Sequence, residues 1–378
     1  GPSSSSHSSF STISKAKNFF DHNNKTSFVF VDQRGTGCSD GYPDANVPNL
    51  LERLRYYGTR GIVSDSEYIK QKIYPNKKWN IFGQSYGAFI VHRYAILNIG
   101  SVNGALAHAN TINSDGYERV KNRIASQVQM VNEYTTRYPD DKKILEVLKS
   151  NLKFNTCFVY EKDPNQKSCG YQVLEIIAAN MLGFSDQWIT IHKWLGLLVD
   201  GNQVSQDGIG YFLNTFYFST GTGSGKSKSI AGKVISWVDR NLPPLDTATC
   251  NQIQNDLLKN NIDVYGSFAN ECLISLQAVK EQGKLPIDSL LPYKKLQQDL
   301  LTLSDFVSVM SKEGSATPFY LYSGTHDTYV PEINFSEEIA AIASLKNIIY
   351  TNFSSTGHDG YLDEAQVWKD LISVSAEK

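Results

Sequence analysis

The sequence predicts an α/β fold: a mostly parallel sheet with crossover helices, interrupted by a helical insertion. Three observations predict it. Short β-branched or aromatic runs alternate with helical segments over residues 27–113. The pattern turns helical from near Ser114 to about residue 313, and the strand pattern returns at Pro318. Residues 1–114 and 315–378 are thereby assigned to the sheet domain, and 115–314 to a helical cap.

The first strand is expected at Ser27-Phe28-Val29-Phe30-Val31. Such a scaffold needs further strands ahead of it, so an upstream N-terminal segment is expected to be missing, by processing, by residing on a separate piece, or by omission. A Gly1-Pro2 start is equally what tag cleavage leaves. The next strand is Lys78-Trp79-Asn80-Ile81-Phe82, followed by Gly83-Gln84-Ser85-Tyr86-Gly87 and a helical run from Ala88 to Leu97. Strand, G-x-S-x-G and helix together form a nucleophile elbow, the mark of an α/β-hydrolase sheet. Both glycines are expected to be needed, because a Cβ at either would clash in so tight a turn. The Tyr86 N–H, at the helix start, is the candidate oxyanion donor.

Val102 to Ala109 reads as the strand after the elbow helix. Val120, Ile124, Val128, Val131 and Tyr134 repeat at helical spacing, as do Ile144, Leu145, Leu148 and Leu152. The glycine-rich Gly221-Thr222-Gly223-Ser224-Gly225-Lys226-Ser227 imitates a phosphate loop, but Thr220 stands where its first glycine belongs, so it reads as a solvated cap loop. Pro318 to Gly324 is a buried strand with Asp327 in the loop beyond it. Asn347 to Phe353 is the last strand, with His358 in the loop beyond it. The order Ser85, Asp327, His358 is that of an α/β-hydrolase triad, with nucleophile, orienting acid and base each just past a strand. Asp327 also suits a turn or N-cap. His326 and Asp359 are the rival base and acid; His7, His22, His92, His108 and His192 have no comparable context.

Composition is that of an ordinary globular chain: 378 residues, 41% hydrophobic, net charge −2. No basic excess suggests nucleic acid, and no apolar run approaches the ~20 residues of a membrane span. Cys157 with Cys169 and Cys250 with Cys272 could form two local disulfides, leaving Cys38 free and favouring a secreted or otherwise extracytoplasmic setting. Five buried thiols in a cytoplasmic protein would be equally consistent with the composition. Asn24, Asn334 and Asn352 match the N-glycosylation pattern.

Val31-Asp32-Gln33-Arg34-Gly35-Thr36-Gly37-Cys38-Ser39 resembles the D-Q-R-G-T-G-x-S segment of prolyl aminopeptidases (proline iminopeptidases). Ile62-Val63-Ser64-Asp65-Ser66-Glu67, the elbow, and Thr356-Gly357-His358-Asp359-Gly360 are similar to further segments of that family, so the likeness touches roughly half the chain. The resemblance implies a serine peptidase acting at the free N-terminus of short peptides, proline preferred, with no metal or cofactor. It implies Ser85 as nucleophile, His358 as base, Asp327 as orienting acid and Tyr86 as oxyanion donor. Gly1-Pro2-Ser3 looks like the tail of the loop carrying the second donor, which makes Gly1 a candidate. The substrate ammonium requires buried carboxylates, for which Glu271 and Glu175 are the candidates; Glu271 also suits an ordinary position on a helix surface. Asp-Gln, Gly-Thr-Gly and Ser-Tyr-Gly also echo serine carboxypeptidases, although Arg34 favours the aminopeptidase side. The same scaffold also accommodates a small-ester hydrolase or a catalytically inactive binding protein.

Overall fold

The structure, a computed structural model, describes residues 27–39, 48, 53, 55–109, 111–112, 116–152, 157–160, 163–169, 188–219, 301–327, 330–358, 360–361 and 364–375. In chain order its main elements are α1 (Thr59–Ile73), β1 (Trp79–Gln84), α2 (Tyr86–Asn98), β2 (Val102–His108), α3 (Gly116–Arg137), α4 (Asp141–Asn151), β3 (Cys157–Tyr160), β4 (Asp163–Cys169), α5 (Trp188–Leu195), β5 (Val199–Asp200), β6 (Gln203–Val204), α6 (Gln206–Ser219), α7 (Leu303–Ser311), β7 (Phe319–Gly324), α8 (Ser336–Ile342), β8 (Ile348–Phe353) and α9 (Ala365–Ser375).

The sheet follows from strands that are apolar on both faces. β2 is buried along its length except at Asn103, and β7 is buried except at Tyr320. Strands buried on both sides belong to parallel sheets covered by helices. β1, β2, β7 and β8 are hydrogen-bonded in that order, all parallel. Parallel neighbours cannot be joined by a tight turn, so helices return the chain each time. On one face Ala88, Val91 and Tyr94 of α2 join Phe306 and Met310 of α7 against Ala105, Phe319 and Leu321. On the other, Val367, Trp368, Leu371 and Val374 of α9 cover Leu106 and Tyr322.

A second hydrophobic cluster lies between β2 and α7 in the chain. Met130, Tyr134, Leu145, Leu148, Phe158, Trp188, Ile191, Phe212 and Leu213 bring α3, α4, β3, α5 and α6 together, sharing no residue with the sheet's clusters.

Two local expectations need correction. Residues 27–31, expected as a strand, form none; Phe28, Val29 and Phe30 are 44%, 39% and 39% exposed. An apolar run becomes a strand only where a neighbour completes its ladder, and none of the described strands pairs with it. The stretch expected to be mostly helical also contains two antiparallel pairs, β3–β4 and β5–β6. β4, Asp-Pro-Asn-Gln-Lys-Ser-Cys, is polar and carries no alternation to read. Cys157 is disulfide-bonded and stands opposite Cys169 across that pair, while Cys38 is a free, exposed thiol. The arrangement of five buried thiols therefore fails. Cys250, Cys272 and the loop at 221–227 lie outside the described residues.

Candidate active site

Parallel strands place their carboxyl ends at one edge, where open α/β sheets hold their ligands. Ser85 follows β1, Asp327 follows β7 and His358 follows β8. Ser85 has φ 54° and ψ −118°, a backbone region that a residue with a Cβ avoids and that costs about 1–3 kcal/mol. The turn is held by its surroundings. The Ser85 N–H donates to the His108 carbonyl at 2.9 Å, and its own carbonyl accepts from Phe89 N–H at 3.3 Å, starting α2. A Cβ on Gly83 would lie 2.3 Å from the Gly87 backbone. One on Gly87 would meet nothing within 4 Å, so the steric requirement falls on the first glycine alone. Tyr86 is the first residue of α2, and its buried ring stacks on Phe89.

Asp327 and His358 meet. The imidazole Nδ1 lies 2.9 Å from Asp327 Oδ2 and 3.1 Å from Oδ1. Asp327 is fully buried, and two further donors reach it: the Val330 N–H to Oδ1 at 2.8 Å and the Tyr361 hydroxyl to Oδ2 at 3.1 Å. A carboxylate can be buried at tolerable cost only when so supplied. The Val330 bond is also the turn-capping contact that the residue type suggests, so Asp327 both meets His358 and caps its turn. A carboxylate only accepts, so the proton of neutral His358 sits on Nδ1, and Nε2 keeps its lone pair. A close approach lets the two loops meet. A Cβ on Gly324 would lie 2.2 Å from the Thr356 carbonyl, the same carbonyl that accepts from His326 N–H at 3.1 Å. Asn352 Nδ2 donates to Thr325 Oγ1 at 3.1 Å, and its Oδ1 is buried, which leaves this glycosylation match inside the sheet edge.

Several residues around this pair carry no recognisable sequence signal. His108, at the end of β2, is fully buried with its ring 4.6 Å from Tyr361 and 5.1 Å from Phe82. Burial, and then the neighbouring His358, push its pKa down to about 3, so it is neutral over the ordinary working range. His92 is buried on α2, with Nδ1 2.9 Å from the Ala88 carbonyl and Nε2 3.0 Å from Glu338. His326, the rival base, points elsewhere. Its Nε2 is 3.5 Å from Glu133 of α3, and its ring stacks on Trp188 of α5. Glu133 lies on an open surface hollow of α3 with Ala125, Gln129, Asn132 and Thr136, all of them exposed.

Within the D-Q-R-G-T-G segment, Arg34 is pinned to α1. Arg34 forms a two-pronged bond with Asp65 of α1, at 2.7 and 2.5 Å, and donates to the Tyr56 carbonyl at 2.7 Å. Gly1, Glu175, Glu271 and Asp359 lie outside the described residues. Among the described residues no helix is long and apolar enough to cross a membrane.

A family model described as the alpha/beta hydrolase fold matches residues 6–186. A proline iminopeptidase of Aeromonas sobria is 26% identical over 135 residues, covering 33% of this chain and 31% of that protein. The chain therefore matches about a third of that curated relative's length. Among solved structures the chain is similar to an acetylester hydrolase from Corynebacterium glutamicum, at 12% identity over 91% of this chain and 75% of that one, with a TM-score of 0.40. It is likewise similar to an alpha/beta fold family hydrolase from Bacillus anthracis strain Sterne, at 14% identity over 95% and 84%, with a TM-score of 0.35. The parallel sheet, the strand–elbow–helix unit and the family match agree that this chain has the α/β-hydrolase fold.

Proposed function

We propose that this chain is a serine exopeptidase releasing N-terminal residues, proline preferred, or short N-terminal peptides. The observation that supports it most is the imidazole of His358 bonded through Nδ1 to the buried, three-donor carboxylate of Asp327, at the sheet edge where Ser85 stands on a strained turn. The aminopeptidase part draws on the D-Q-R-G-T-G resemblance and on the match to a proline iminopeptidase.

In this mechanism His358 Nε2 takes the proton of Ser85 Oγ as the oxygen attacks the substrate carbonyl. The negative oxygen that forms is held by backbone N–H groups, with Tyr86 as one donor and Gly1 as the candidate second. His358 returns the proton to the leaving amine as the C–N bond breaks. Water then attacks the acyl-enzyme, gives its proton to His358, and Ser85 leaves with that proton. The Asp327 carboxylate stabilises the imidazolium in each half.

Residues 115–314 would act as a cap over the site. Glu271 and Glu175 are the proposed holders of the substrate ammonium. Glu133 joins them, because it is a carboxylate in contact with the residue beside Asp327.

Two measurements test this function. A fluorophosphonate should label the protein, and Ser85→Ala should abolish labelling; equal labelling of both would remove Ser85 and favour an inactive scaffold. A free-amine prolyl-arylamide should be cleaved well and its N-blocked counterpart poorly. Equal cleavage of the two would remove N-terminal recognition, and turnover of small esters or C-terminal substrates alone would favour an esterase or a carboxypeptidase.

A further inference from the structure

We propose that Gln84, the residue just ahead of the nucleophile, is a positioning residue that sets His358 against Ser85. The inference rests on the functional reading above and deepens it. Gln84 Nε2 lies 2.8 Å from the backbone carbonyl of His358, a contact between residues 274 positions apart. A carbonyl only accepts, so the amide nitrogen must face it, and the bond has one direction.

Both ends of this bond are fixed. Gln84 closes β1, paired in register with His108 of β2, and Ser85 N–H then donates to the His108 carbonyl at 2.9 Å. The backbone at Gln84 therefore cannot slide without breaking the ladder and the elbow together. At the other end His358 is held by its ring through Asp327. The loop is pinned at Thr356, whose carbonyl accepts from His326 N–H at 3.1 Å, and the ring is held at Nδ1; a rotation of the His358 backbone between these points swings Nε2 towards or away from the serine oxygen. The bond to the carbonyl adds a point of attachment on the backbone of the same residue. With it, the base is referenced to the acid on one side and to the nucleophile's own strand on the other.

This assigns a role to a position that the G-x-S-x-G pattern leaves open. It needs a side chain with an N–H donor and the reach of glutamine. Asparagine is one methylene short, methionine has the length without the donor, and glutamate has the shape with an acceptor facing an acceptor.

The test uses the whole chain and compares wild type with Gln84→Met and Gln84→Glu, with Ser85→Ala alongside. Each Gln84 variant should lose roughly three- to tenfold in kcat, the scale of one neutral hydrogen bond. KM should stay within about twofold, since the bond does not touch substrate. The fluorophosphonate labelling rate should fall by the same factor as kcat, while the melting temperature stays within a few degrees. A purely structural role would lower the melting temperature and leave kcat per folded molecule intact, and that result would overturn the proposal. So would wild-type labelling in both Gln84 variants. If methionine prevents folding, the isosteric glutamate variant still decides. Full labelling of Ser85→Ala would instead sink the serine mechanism itself, which keeps the two failures apart.

Discussion

Replacing Asp327 by asparagine offers a sharp test, because its partners among the described residues, His358, Val330 and Tyr361, are all donors. Oδ2 receives His358 Nδ1 at 2.9 Å and the Tyr361 hydroxyl at 3.1 Å; Oδ1 receives the Val330 N–H at 2.8 Å. An asparagine has one accepting and one donating end, so neither orientation satisfies the site. If the amide NH₂ faces His358, the imidazole must accept on Nδ1, its proton moves to Nε2, and the base no longer presents a lone pair to Ser85. That wrong tautomer costs about 10⁴-fold in kcat in relays of this kind. If the NH₂ faces Val330 instead, two donors are buried against each other. The expected penalty is then about 1–3 kcal/mol of stability, with part of the activity kept. The first orientation leaves Val330 satisfied but sets donor against donor at Tyr361, whose hydroxyl can rotate; the second sets donor against a fixed backbone N–H. The tautomer-breaking orientation should therefore dominate. The assay is kcat/KM on prolyl-arylamide together with the fluorophosphonate labelling rate, and urea unfolding as the control. A variant keeping more than about a tenth of wild-type activity with unchanged stability in urea would refute the relay, since one orientation must cost far more activity and the other must cost stability.

Other expectations follow from neighbouring contacts. His108 binds no proton in the folded state until about pH 3, whereas an unfolded histidine does so near pH 6.5, so acidification through this window favours the unfolded chain. His108→Phe removes that dependence, and the stability lost between pH 7 and pH 4, measured by denaturant titration, should shrink by about 3 kcal/mol. Gly83→Ala puts a methyl 2.3 Å from the Gly87 backbone. It should destabilise by about 3 kcal/mol or more in urea unfolding and abolish Ser85 labelling, because overpacking against backbone cannot be relieved by a rotamer change. Glu133→Gln should raise KM for free-amine substrates about tenfold, the scale of a charge-assisted bond, and leave N-blocked substrates unchanged.

The parts of the site that can be read in the sequence are those where residue type and element position coincide. Ser85, Asp327 and His358 each follow a parallel strand rich in aromatic or β-branched residues, buried in β7 and half-buried in β1 and β8. Gln84 and Tyr361 are illegible for the opposite reason. Their partners lie 274 and 34 residues away, brought close by sheet order and by the bare backbone of Gly324. β4 escapes a pattern reading because its sequence is polar and shows no alternation. Residues 27–31 mislead in the other direction, since a suitable composition forms a ladder only beside another strand. For Gly87 the pattern holds and the expected reason does not: the crowding is at Gly83.

The apolar interior shared by α3, α4, β3, α5 and α6 has a thermal consequence. That interior meets the sheet region through polar and ring contacts, among them His326 on Trp188 and Asn122 on Asn334, and an interior joined in this way need not melt with the sheet. Calorimetry should resolve a shoulder or a second endotherm, and trimming Leu148 to alanine should move one transition while leaving the other in place.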